Sequence, residues 1–235
     1  MYTALSGMTV KLHDIDRVAT DLANVNTSGY KSERASVTAA ERIQFTRDLD
    51  SAIDAMTGDT RIDLRPGQMT PTGRDLDMAL DGNGFFAVQT AQGERYTRDG
   101  GFVRRSDGIL ATGDGNPVLG EGGEISIGTG VVKIAEDGTI RVDGTVAGRL
   151  KLVTFNGPSE IARESGARFR AVDGVTPGAA DARVVGGSLE AANVSVVERM
   201  ATLTEITRAF EGLQRGISVL ANDIDGRAIS ELGRR

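Results

Sequence analysis

The apolar residues Leu203, Ile206, Phe210, Leu213, Ile217, Leu220 and Ile224 recur at alternating spacings of three and four, and near the other end Leu5, Met8, Leu12, Ile15, Ala19 and Leu22 do the same. Each set falls on one stripe of an α-helix. Stripes this narrow, with wide polar faces around them, are the pattern of a coiled-coil seam, in which every apolar knob enters a hole on the facing helix. The plainer alternative is two ordinary helices packed on one core. Either way the chain begins and ends in amphipathic helix and must build the rest of its fold in between.

What lies between is punctuated by turns. Asp81-Gly82, Asn83-Gly84, Asp99-Gly100, Asp107-Gly108, Asp114-Gly115, Asp137-Gly138, Asp143-Gly144, Asn156-Gly157 and Asp173-Gly174 are dipeptides that enter type I′ turns readily. Between them lie short alternating or apolar runs at 85–88, 101–104, 131–135, 139–142 and 150–155. Successive hairpins are the economical reading, and the runs differ too much in sequence and spacing to form a repeat array.

The first helix is expected over 2–25, ending where Asn24, Asn26, Thr27, Ser28 and Gly29 favour turns. Residues 30–60 give a mixed signal, with a sparse helical pattern at 41–56. The last helix is expected to start at an Asn193 N-cap, with Val196 and Val197 opening its stripe, and to run to about 232. Gly212, Gly216 and Gly226 each weaken it by about 1 kcal/mol relative to alanine, so close approach of a neighbouring helix is the expected compensation. The domains that follow are 1–61 for the N-terminal helix and extended segment, 62–186 for a central β-rich domain, and 187–235 for the C-terminal helix.

The length of 235 residues suffices for a sizeable core. With 4% aromatic residues and no tryptophan, that core is expected to be aliphatic. A net charge of -6 and a pI near 5.0 disfavour nucleic acid as a partner, since phosphates are bound by clustered Lys and Arg. No apolar run is long enough to span a membrane, and Lys11, Asp14, Asp16 and Arg17 interrupt the N-terminal stretch where a secretory signal would be continuous. The absence of cysteine excludes disulfides, thiolate catalysis and cysteine metal sites.

Candidate chemistry is sparse. Gly82-Asn83-Gly84-Phe85-Phe86-Ala87 matches G-x-G-x-x-A, but the residues that follow read as a strand, whereas a dinucleotide site needs a helix there. Asp75, Asp77 and Asp81 suggest a calcium loop until Ala79 is placed at a position that needs an oxygen ligand. His13 is the single histidine and has no second histidine around which to build a metal site. No Gly-x-Ser-x-Gly elbow accompanies it for serine catalysis. The expectation is no catalytic residue, no metal and no cofactor.

Longer words are more specific. Tyr2-Thr3-Ala4-Leu5-Ser6-Gly7-Met8, followed by Asp21-Leu22-Ala23-Asn24-Val25-Asn26-Thr27-Ser28-Gly29-Tyr30-Lys31, closely resembles the N-terminal signature of bacterial flagellar rod and hook proteins. Leu76-Asp77-Met78-Ala79-Leu80-Asp81-Gly82-Asn83-Gly84-Phe85-Phe86 and Tyr96-Thr97-Arg98-Asp99-Gly100-Gly101-Phe102 resemble that family's central motifs. Gly187-Ser188-Leu189-Glu190-Ala191-Ala192-Asn193-Val194 resembles the start of its C-terminal domain. The order is kept along the whole chain. Thr20-Asp21 departs from a more usual asparagine pair, and Gly101 from a serine or alanine.

The resemblance implies a mixed α and β class: long N- and C-terminal helices forming a coiled-coil-like tube domain, with a central all-β domain of hairpins. It implies Asn24, Asn26, Thr27, Gly29, Tyr30, Gly82, Gly84, Phe85 and Phe86 as family-motif positions and the two helical stripes as assembly interfaces. It further implies a structural subunit with no reaction to perform, exported by the flagellar type III apparatus and placed in the basal body between the inner membrane and the hook. Its partners would be copies of itself and other rod proteins, and its task the transmission of torque. The short middle region is most like a proximal rod subunit, with a distal rod subunit next; a hook protein would carry larger inserted domains. The rival from another class is a secreted β-rich binding module, for which three tyrosines, seven phenylalanines and no tryptophan leave few stacking platforms.

Overall fold

The computed structural model describes the backbone of residues 2–35 and 60–232 and the side chains of 7–34 and 60–219. The helical pattern expected over 41–56 lies outside the described residues. The chain divides into two compact units, one containing Met1–Ala23 and Ser195–Arg235, the other Asn24–Arg34 and Arg61–Val194.

The described part of the first unit is two helices, α1 (Tyr2–Ala23) and α2 (Val196–Leu232). They run antiparallel. Arg199 Nε lies 3.1 Å from the buried Asp21 carboxylate at one end, and a Cβ built on Gly7 would stand 3.8 Å from Leu213 Cδ1 at the other. The start of α2 is set by Ser195, not by Asn193 as expected. Glu198 N donates to Ser195 Oγ at 3.4 Å and Arg199 N to Ser195 O at 3.0 Å, and Ser195-x-x-Glu198 has the residue order of a capping box.

The expected class, mixed α and β with long terminal helices forming a coiled-coil-like tube domain, is corrected by this arrangement. Among the described residues there are nineteen strands and two α-helices, so the described fold is mostly β, and the two helices do not form a coiled coil. A seam requires apolar positions of both helices to be covered in register. Here α1 spans about 33 Å and α2 about 55 Å at 1.5 Å per residue, so α1 cannot cover the whole length of its partner. Within the stripes, Leu12 is 48% exposed, and among the described side chains Ile206 alone is buried. On α1 the burial centres on Val18 and Asp21.

The second unit is built around a six-stranded antiparallel sheet with strand order Ile161–Ser165, Arg168–Ala171, Gly93–Thr97, Phe85–Thr90, Leu152–Thr154, Gly178–Ala179. Side chains alternate across a strand, and Phe85–Thr90 uses both faces. Phe86 and Val88 enter one core with Phe102, Leu110, Ile125, Ile140 and Leu150, whereas Phe85 and Ala87 enter another with Tyr96, Phe155, Ile161 and Phe169. The expectation of an aliphatic core holds for the first, in which Phe86 and Phe102 are the aromatic members of the buried cluster, and fails for the second, where four of the eight buried residues are aromatic. Phe85 meets Phe155 and Phe169 edge-on at 5.7 and 5.6 Å, and Phe86 meets Phe102 at 5.1 Å. Few aromatics suffice when strand pairing gathers them.

A three-stranded antiparallel sheet, Val132–Ile134, Thr139–Val142 and Thr145–Arg149, covers the first core with Val132 and Ile140. Its second hairpin closes on Asp143-Gly144, with φ of 50° and 85°, the two positive values that a type I′ turn demands.

Candidate functional site

Four of the sequence words meet inside the second unit. The stretch after α1 is wound by local bonds, Thr27 N to Asn24 O at 3.0 Å and Tyr30 N to Thr27 O at 3.2 Å. It then turns through Gly29, whose φ is 66°. A Cβ there would stand 2.2 Å from the Arg98 carbonyl carbon and the Asp99 nitrogen, so the position is closed to any side chain. Gly29 N donates to Glu190 O at 2.7 Å. That bond brings the first word against the last.

Glu190 ends the strand Ser188–Glu190, which pairs with Met69–Pro71. Its carboxylate is buried and accepts three hydrogen bonds: from Lys31 Nζ at 2.5 Å, Gly67 N at 2.7 Å and Arg98 Nη1 at 3.2 Å. The cations are themselves shared out. Lys31 Nζ also donates to Arg65 O at 2.9 Å, and Arg98 donates to Leu80 O at 3.0 Å and Gly82 O at 2.5 Å while lying over the Phe85 ring. Burial draws the Lys31 ammonium below its usual value, opposed by the adjacent Glu190 carboxylate, and lowers Arg98 in the same way. A buried ion pair is tolerated only when its remaining donors and acceptors are satisfied, as most are here.

Asn193 and Arg163 complete the clasp. Asn193 Oδ1 accepts from Ser32 N at 2.7 Å, its Nδ2 donates to Asp63 O at 2.8 Å, and its backbone N donates to Tyr30 O at 3.2 Å. The side chain expected to cap α2 therefore ties two chain segments together. Arg163 lies 4.5 Å from the Tyr30 ring centroid, bonds Glu33 at 2.6 Å and donates to Lys31 O.

The expected motif positions divide by exposure. Gly29, Tyr30, Gly84, Phe85 and Phe86 are buried, Asn24 and Thr27 are half-buried, and Asn26 and Gly82 are exposed. On α1, Met8, Ile15 and Leu22 are half-buried and Leu12 and Ala19 exposed; the Leu5 side chain lies outside the described residues. On α2, Leu203, Phe210, Leu213 and Ile217 are half-buried beside the buried Ile206, and the Leu220 and Ile224 side chains lie outside the described residues. Lys31, Arg98, Glu190 and Asn193 were not among the candidate positions, although each stands inside a quoted word.

The other chemical candidates have ordinary roles. Gly84 leads into the strand Phe85–Thr90, not into the helix that a dinucleotide fingerprint requires. Asp77 accepts from Thr72 Oγ1 at 2.6 Å and pairs with Arg74, and His13 is exposed on α1. Among the described residues no helix is long and apolar enough to cross a membrane.

This arrangement is a clasp that joins the start and end of a β unit through buried ionic and backbone bonds, a structural element with no reacting group at its centre. Residues 79–147 match the family described as flagellar hook protein FlgE/F/G D1 domain, and residues 185–230 match flagellar basal body rod FlgEFG protein C-terminal. The chain belongs to the family of flagellar basal-body rod proteins. It is 36% identical to the flagellar basal-body rod protein FlgF of Caulobacter vibrioides, covering 100% of this chain and 98% of that one. It is 37% identical to FlgF of Escherichia coli over 97% of this chain and 96% of the other. The rod protein FlgG of Bacillus subtilis is also similar, 31% identical over 90% of each. Membership makes this chain a structural subunit of the basal-body rod.

Proposed function

We propose that this chain is a FlgF-like subunit of the proximal rod, which assembles with copies of itself and with other rod proteins and passes torque from motor to hook. The observation that carries the reading is end-to-end similarity to FlgF proteins of nearly the same length. The site suits the task, because a passive transmission element needs stiffness rather than chemistry. The clasp fixes both ends of the β unit through buried ionic and backbone bonds, and no catalytic role is assigned to any residue.

The contacts to neighbours are assigned to the helices. Leu5, Met8, Leu12, Ile15, Ala19 and Leu22 on α1, and Leu203, Ile206, Phe210, Leu213, Ile217, Leu220 and Ile224 on α2, are the proposed interface positions. Val197 and Met200, 80% and 57% exposed, extend the apolar surface at the start of α2. Contacts between unlike surfaces propagate a helical array when the rotation does not close a ring. The chain would travel unfolded through the flagellar type III export apparatus and take its place in the periplasmic part of the basal body.

The test is replacement in a motile host lacking its own proximal rod protein. Restored swimming, with the chain recovered in purified basal bodies, is the expected result. Restoration only of a host lacking the distal rod protein would transfer the assignment to a FlgG-like role. Failure in both hosts would remove the proposal.

A further inference from the structure

The outer face of the three-stranded sheet carries an arrangement that the subunit's own fold does not explain. Lys133 stands directly opposite Arg141 in the strand register, and Arg141 is opposite Val146 on the next strand. All three are exposed, Val146 at 55%. Like charges facing each other across an antiparallel pair repel. Among the described residues neither cation has a carboxylate partner, although the chain carries a net charge of -6.

Bordering the same sheet, at the turn that joins its first two strands, lies a cleft of about 680 Å³ whose lining includes Asp81, Glu121, Glu136, Asp137, Asp181, Arg149 and Arg183. Its two arginines are already engaged. Arg183 pairs with Asp81 at 2.9 Å and reaches Glu136 at 3.7 Å, and Arg149 reaches Glu121 at 3.4 Å. Asp137 and Asp181 are exposed, and among the described residues neither carboxylate forms an ion pair. Bonds from Thr139 hold the Asp137 carboxyl below the usual range, helped by Arg149, which donates to the Asp137 backbone carbonyl at 3.0 Å. One surface therefore has two positive charges in excess, and the other, with five carboxylates against two arginines, has three negative charges in excess.

We propose that the Lys133–Arg141–Val146 row of one copy docks against the cleft at Asp137 and Asp181 of a second copy. The inference rests on the rod reading for the existence of neighbouring copies and adds to it a contact between β units, separate from the helices. Complementary patches steer and orient association, and their like-charge misalignments are penalised. The row's internal repulsion is relieved only when carboxylates face it. Unlike surfaces meeting in this way can repeat from copy to copy.

Charge reversal tests the contact in the full-length chain. By sedimentation, K133E/R141E and D137K/D181K should each self-associate at least about tenfold more weakly than the unmodified chain. An equimolar mixture of the two should recover the association, because each reversed surface then meets an opposite one. Thermal stability should be unchanged in K133E/R141E, whose side chains are exposed and without a carboxylate partner among the described residues, and in D137K/D181K should fall only by the loss of the two bonds that the Asp137 carboxylate accepts from Thr139. Unaltered association in either variant, no recovery in the mixture, or an unmodified chain that stays monomeric at every concentration would each overturn the proposal. Failure of the rod reading is read separately, from the swimming of a host that carries the unmodified chain.

Discussion

The Glu190 carboxylate accepts a hydrogen bond from Lys31 Nζ at 2.5 Å, across 159 positions of sequence, with each side chain 1% exposed. With Arg98 as a second donor, one carboxylate holds two cations from separate segments. Glu190→Ala would leave both cations buried without their anion. Breaking a buried pair by removing one partner costs about 3–5 kcal/mol. Denaturant unfolding of the full chain, followed by its β signal, should show a loss of that size. A loss below about 1 kcal/mol would mean that the pocket relaxes and hydrates, and that the backbone bonds alone hold the segments.

Gly29 and Gly144 both have positive φ, but only one is enclosed. At Gly144 a Cβ would meet nothing within 4 Å, whereas at Gly29 the Arg98–Asp99 backbone would stand 2.2 Å from it. Gly144→Ala should therefore cost only the left-handed strain, about 1–2 kcal/mol. Gly29→Ala must also displace the Arg98 backbone and with it the guanidinium held by Glu190. The midpoint of unfolding should fall clearly further for the second variant, and equal losses would contradict the assignment of Gly29 to the clasp.

These two glycines also mark what sequence could reveal. Asp143-Gly144 was legible as a hairpin because a type I′ turn is specified by the two residues themselves. The helix of residues 196–232 was legible from its period, but its start was misplaced, since Asn193 and Ser195 are both good caps and only Ser195-x-x-Glu198 carries the reciprocal signal. The clasp was not legible as a site. Lys31, Arg98 and Glu190 look like surface charges until strand order brings them together, and strand order follows pairings that local turns do not determine. The coiled-coil expectation failed for a related reason, because a stripe shows which face is apolar but not whether a partner is long enough to cover it.

Alkaline pH should probe the second core. Burial, reinforced by the neighbouring Glu94 carboxylate, raises the Tyr96 phenol from 10.0 to about 12. A group whose pKa is higher in the folded state adds stability below its unfolded value and loses that contribution as pH climbs through the folded one. The Tyr96 contribution should thus be intact up to about pH 10 and disappear between pH 10 and 12. Phenolate absorbance of the unmodified chain should include a late-titrating component that is lost in Tyr96→Phe. The variant's unfolding should also be flatter with pH across that window, and identical profiles would refute the assignment.

The assembly role of α2 is best tested where a side chain does little within its own subunit. Val197 is 80% exposed, so an aspartate there removes almost no internal packing. If a neighbour covers it, the same substitution forfeits the burial of a valine, about 1.5–3 kcal/mol, and places a charge in an apolar contact. Leu213→Asp, by contrast, acts within the subunit as well, because Leu213 faces Gly7. Val197→Asp should therefore unfold at the same denaturant concentration as the unmodified chain and yet fail to restore swimming or enter basal bodies. Leu213→Asp should fail in the cell and also lose helix signal in solution. Normal swimming with Val197→Asp would remove that face of α2 from the interface and leave assembly to the half-buried stripe.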